Sequence, residues 1–146
     1  MDLLTMKIRN WLVLALLASY AVLAPAAGLD LLTIGWSVVT ALVVLLCTFL
    51  LFALGWIGGG DAKLAAVTAL WLGAGQIQDY IFYTALFGGG LSMILLSFRT
   101  LKLPLIGRAS PWITRLHMRE TGVPYGMAMA PAALLAFPHT AWIAAF

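Results

Sequence analysis

The chain has 146 residues, 64% of them hydrophobic and 9% charged, with a mean hydropathy of +1.05. Soluble domains carry roughly 45–50% apolar and about 25% charged residues, so too few charges are present here to cover a water-facing surface. A soluble enzyme, a nucleic-acid binder and a disordered linker are excluded, and the net charge of +3 reads as a topology signal instead.

At about 20 residues per crossing, the length allows roughly five to seven membrane helices. Residues 1–10 are charged and run straight into apolar sequence, without the pattern of a cleavable signal peptide. Hydrophobic segments follow at 10–27, 31–56, 63–75, 78–98 and 123–146. They are continuously apolar and do not alternate, so helices are expected and a β-barrel is not. The third is short: 13 residues rise only about 20 Å, against a hydrocarbon core of about 30 Å. The expected fold is an all-α polytopic transmembrane bundle of about five spans, forming a single integral membrane domain over residues 1–146.

The loops give the orientation. Lys7 and Arg9 precede the first segment, Lys63 lies between the second and third, and Arg99, Lys102, Arg108, Arg115 and Arg119 follow the fourth. These are all eight basic residues, while the alternate connections carry only Asp30 and Asp79. The positive-inside rule therefore predicts a cytoplasmic N-terminus and an outside C-terminus. The long loop 99–122 contains Ser110-Pro111, an N-cap followed by proline at the first helical position. Trp112, Ile113 and Leu116 fall on one face of the helix this predicts, which suits a short amphipathic helix on anionic lipid; docking of substrate by its arginines is the other reading.

Cys47, the single cysteine, excludes an internal disulfide and a multi-cysteine zinc site, and its apolar neighbours predict a small buried hydrophobe. His117 and His139 fall on opposite sides by this topology and cannot build one metal site. Gly88-Gly89-Gly90 and Pro131 lie inside apolar segments, where close helix packing and a kink are expected, or alternatively a substrate groove.

Carboxylates next to membrane segments call for a functional reading. Asp30 and Asp79 suit solvated turns on the outer side. Asp2 and Asp61 both lie on the cytoplasmic side at a membrane boundary. Asp61 follows Gly58-Gly59-Gly60, where glycines allow close backbone approach and an aspartate can cap the next helix. Two carboxylates sharing one proton could also hydrolyse a peptide bond, one ionised to take a proton from water and one neutral to donate to the carbonyl. Such a pair titrates in two separated steps, because both members cannot ionise together.

Gly58-Gly59-Gly60-Asp61 matches the GxGD motif of intramembrane-type aspartyl proteases, and Gly58-Gly59-Gly60-Asp61-Ala62-Lys63-Leu64 resembles the type IV prepilin peptidase family. Residues 2–12, with Asp2 and Ile8-Arg9-Asn10, resemble that family's first catalytic motif, except that Arg9 stands where the family usually has proline. Gly122-Val123-Pro124-Tyr125-Gly126 and Ala136-Phe137-Pro138 are similar to the small members that serve Flp (tight-adherence) pili.

The resemblance implies a bacterial inner-membrane aspartyl endopeptidase that removes the basic leader of prepilins at the cytoplasmic face, next to the pilin's hydrophobic segment. Asp2 and Asp61 would be the catalytic pair, with Gly58 and Gly60 shaping the backbone. Asn10 would form the turn before the first helix. Lys63 would mark the inner membrane edge or bias the pair electrostatically. No metal or cofactor is implied. Partners would be the prepilin, pilus or secretion assembly machinery, and membrane lipids; nucleic acid would not be one. Longer family members carry a cysteine-paired zinc domain and N-methylate the new pilin terminus; with one cysteine, peptidase activity without methyltransferase activity is expected. The family also places a helix before its first aspartate, so a sixth span upstream of residue 1 is expected. The competing reading is a small non-enzymatic membrane component of such an assembly, in which Asp61 only caps a helix.

Overall fold

The computed structural model describes residues 9–100 and 125–144. Asp2, His117 and the amphipathic helix expected after Ser110 lie outside the described residues. Within them all regular structure is helical: α1 (Asn10–Ala26), α2 (Leu31–Ala53), α3 (Gly59–Leu72), α4 (Ile77–Thr100), α5 (Gly126–Ala136), a 3-10 turn (Phe137–His139) and α6 (Ala141–Ala144).

Two helices, Leu31–Ala53 and the Ile77–Phe98 part of α4, are long and apolar enough to cross a membrane. Only 11% of each apolar window is buried within the protein, so neither is the hidden core helix of a soluble domain. A helix satisfies its backbone groups internally, which is what lipid demands of a spanning segment. Asp30 caps α2, its carboxylate accepting a hydrogen bond from the Thr33 backbone N–H at 3.1 Å. The hydrogen bonds from Thr33 hold this carboxyl below its ordinary value.

Helix α3 is the hub. Eight of its 14 residues are buried, four of them alanines, and small side chains let neighbouring helices come close. Helix α2 runs antiparallel to it: Thr48 Oγ1 donates to the Ala62 carbonyl at 3.4 Å, and at the far end a Cβ on Gly73 would lie 3.2 Å from Ser37 Oγ. Helix α1 runs parallel to α3, with Lys63 Nζ donating to Asn10 Oδ1 at 3.3 Å and Trp71 Nε1 donating to the Leu16 carbonyl at 3.1 Å. Helix α5 packs on α4 where Gly88 leaves room for the Tyr125 ring; a Cβ there would sit 3.3 Å from Tyr125 Cε1. The close-packing reading of the second glycine run therefore holds at Gly88.

Away from the α3 N-terminus, Tyr20, Trp71 and Trp142 join the ends of α1 and α3 to the C-terminal segment. The two indoles stack with centroids 4.9 Å apart, and Tyr20 meets both edge-on at 5.6 and 5.7 Å. Trp142 Nε1 donates to the Trp71 carbonyl at 2.8 Å. Nearby, Gln76 Nε2 donates to the His139 carbonyl at 2.9 Å, so His139 sits at the end of α3 opposite Asp61.

Three expectations need correction. The third helix starts at Gly59 with Gly58 as its cap, not at an Asp61 cap, because the glycine run forms its first turn. The last segment is not one helix: α5 continues through Pro131 but stops at Ala136, and Phe137-Pro138-His139 turns as a 3-10 element. At 11 residues α5 rises only about 16 Å, short of a crossing. Cys47 is exposed rather than buried, because α2 gives α3 only the narrow face that carries Ser37 and Thr48.

Candidate active site

The approach to Asp61 is set by the end of α2. Gly55 has φ +75, and its N–H donates to the Phe52 carbonyl at 2.9 Å, while the Trp56 N–H donates to the Leu51 carbonyl at 3.0 Å. This is the Schellman closure, in which a left-handed glycine ends a helix and satisfies its last carbonyls. The chain then extends through Gly58 (φ −74, ψ 145), which caps α3. The Gly58 carbonyl accepts the Ala62 N–H at 3.1 Å.

Asp61 is therefore the third residue of α3 and not its cap. Its side chain is turned into the protein, and the residue is only 8% exposed. A Cβ on Gly58 would stand 3.0 Å from Asp61 Oδ2, so the carboxylate lies directly against the Gly58 backbone. The first turn of a helix carries a positive partial charge that favours an anion there. Gly58 matters because it has no side chain.

Gly59 is equally tight, a requirement the sequence did not single out. A Cβ on it would lie 3.2 Å from Phe52 Cε2, so the Phe52 ring covers this turn. Only the presence of a third glycine hinted at it; the choice of Phe52 had no sequence signal. Gly60, the second residue of α3, is partly buried.

The 3.3 Å hydrogen bond between Lys63 and Asn10 brings together two residues 53 positions apart. Lys63 is exposed, and residues two apart on a helix do not face each other, so its ammonium turns toward α1. The N-terminus of α1 and that of α3 thus share one end of the bundle. Arg9, the residue before α1, belongs to this end, with its guanidinium 6.0 Å from the Trp11 ring centre. Asp30 caps the opposite end of α2, and Asp79 lies in the first turn of α4, which starts after the far end of α3. Among the described residues no three His, Cys, Asp or Glu side chains form a metal-ligand set.

A buried carboxylate on a glycine-walled turn, at a basic membrane boundary, can accept a proton from water. To donate one to a carbonyl at the same time it needs a second, protonated group.

A family model described as the type IV leader peptidase family matches residues 1–93. The matched span takes in Asp2, Asn10, the whole Gly58–Lys63 turn and most of α4. Comparison with curated proteins and with solved structures gave no match.

Proposed function

Because the chain belongs to the type IV leader peptidase family, we propose that it is a membrane aspartyl endopeptidase that removes the leader of Flp-type prepilins at the cytoplasmic face. The observation that carries this reading is the burial of Asp61 against Gly58, at the end of the bundle where Asn10 meets Lys63. Asp2 is the second carboxylate of the proposed pair. It lies eight residues before Asn10 in sequence, and an extended chain covers up to about 3.4 Å per residue, so it can reach Asp61.

In the proposed reaction the ionised member of the pair takes a proton from water, and the resulting hydroxide adds to the scissile carbonyl carbon. The neutral member protonates the carbonyl oxygen. Collapse of the diol breaks the C–N bond, and the leaving nitrogen takes a proton from the pair. Gly58 and Gly60 keep the backbone beside Asp61 free of side chains, and the Lys63–Asn10 hydrogen bond fixes the start of α1 against α3. The segregation of Arg9 and Lys63 from Asp30 and Asp79 supports a cytoplasmic site by the positive-inside rule. Pilus-assembly proteins and membrane lipids are the partners this reading implies.

The reading is tested by co-expressing the full chain with an Flp-type prepilin and following the pilin by gel and by mass spectrometry. The expected product has lost its leader and carries an unmethylated N-terminal amine. An uncut prepilin contradicts the peptidase, and a methylated terminus with no other enzyme present contradicts the restriction to proteolysis.

Gly58→Ala tests the geometry around Asp61. The added methyl would force the carboxylate to shift by a few tenths of an ångström, and misplacement of about 1 Å can cost about 100-fold. Cleavage should fall roughly tenfold in kcat/KM while the protein still inserts into the membrane. Wild-type kcat/KM in Gly58→Ala contradicts the close approach.

A further inference from the structure

A groove of about 810 Å³ separates α2 from α4. Along α2 its lining runs from Trp36 to Leu51 and along α4 from Ile77 to Ser92, so each wall spans 15 residue steps, about 22 Å of helix. Ala65 of α3 and Met129 of α5 form part of the lining between these walls. The two walls are the membrane-length helices, and only 11% of each one's apolar window is buried within the protein.

We infer that this groove holds the apolar helix of the prepilin substrate; the inference rests on the peptidase reading above. Three observations select that occupant. The groove offers an apolar lining along about 22 Å, room for roughly four turns of an apolar helix. It also adjoins the candidate site: Ile57, one residue before Gly58, belongs to its lining, and so does Ala65, one helical turn from Asp61 on the same face of α3. A helix lying in the groove would therefore end beside the Asp61 carboxylate, where a cleavage site adjoining an apolar segment has to be.

The α4 wall, thirdly, is built for close approach. Ala85 and Gly89 are four residues apart and both line the groove, and a Cβ on Gly89 would meet nothing within 4 Å. Small residues at that spacing let helix backbones approach in lipid.

Cys47 lines the groove and supplies a native probe. The full chain carrying Asp61→Asn, which keeps the substrate uncut, is mixed in membranes with prepilins bearing single cysteines along their apolar helix and then oxidised with copper phenanthroline. Disulfides to Cys47 should form at pilin positions recurring every three or four residues. A control chain carrying Cys47→Ser and Leu46→Cys, whose cysteine lies on an exposed position outside the groove lining, should give few. In the otherwise native enzyme, Gly89→Leu should raise KM for the prepilin about tenfold, the scale of one misfitting apolar group.

Equal cross-linking from positions 46 and 47 overturns the inference, as does none from 47 or a wild-type KM in Gly89→Leu. So does a Cys47–Cys47 product that prepilin fails to displace, which would make the groove an interface between copies of this chain. Should Gly89→Leu fail to fold, the cross-linking pattern decides alone. A wild-type chain that leaves prepilin uncut defeats the peptidase reading itself; one that cuts prepilin without the Cys47 pattern defeats only the groove.

Discussion

Asp61→Asn should lower kcat/KM for prepilin cleavage by about 10³-fold or more, the scale on which general acid–base groups act. The substitution is nearly isosteric and removes the charge, so it does not burden the fold. A neutral amide in the first turn of α3 avoids the desolvation of a buried carboxylate, and the helix keeps its glycine cap and its alanine face. The variant should therefore accumulate in membranes at the wild-type level while prepilin stays uncut. Asp61→Glu retains the charge but moves the carboxylate by about one methylene, away from its seat on Gly58. A displacement of that size is expected to cost roughly 100-fold. Full activity in Asp61→Glu would mean that Asp61 supplies charge without defined geometry.

The largest effect on the fold is expected at the opposite end. Trp142→Ala removes the stack on Trp71, the edge contact with Tyr20 and the Nε1 hydrogen bond to the Trp71 carbonyl. These contacts tie the C-terminal segment to α1 and α3, and Trp142 is buried. Truncating a buried tryptophan costs about 3–5 kcal/mol in water-soluble cores. In lipid the packing and hydrogen-bond losses remain, while hydrophobic transfer contributes little, so a value near about 3 kcal/mol is expected. Thermal unfolding in detergent should show a clearly lowered Tm, with Trp142→Phe intermediate because it keeps an aromatic face but loses the N–H donor. A Tm equal to wild type in Trp142→Ala would show that the aromatic cluster does not hold the bundle together.

How much of this was legible in the sequence follows from what each feature depends on. Helices α2 and α4 are set by long apolar runs, and both appear close to their expected bounds. Gly59 and Gly60 are poor helix formers in isolation, so the sequence reads there as a turn ahead of α3. They are helical here because the Schellman closure at Gly55 and the extended Gly58 leave the chain aimed into that turn. The last segment kept its apolar character but broke at Phe137-Pro138, where the missing proline N–H and the constraint on the preceding residue interrupt the helix.

At the site, the Gly58–Asp61 glycine run and its aspartate could be read from residues near each other in sequence. The Lys63–Asn10 hydrogen bond, the Phe52 ring on Gly59 and the exposure of Cys47 could not, because each depends on how α1 and α2 pack against α3. The same holds for the groove between α2 and α4. An apolar residue facing lipid and one lining a groove look alike in a sequence.

The central claim is that Asp2 and Asp61 act as one unit, and it is tested most directly by measuring prepilin cleavage with Asp2→Asn, Asp61→Asn and the double variant side by side. Groups that share one chemical step are strongly non-additive, so either single change should cost about as much as both. The account predicts three variants with the same residual rate, each inserted in the membrane like the wild type. A near-wild-type rate in Asp2→Asn, or a double variant that falls below the singles by the product of their separate effects, would contradict it.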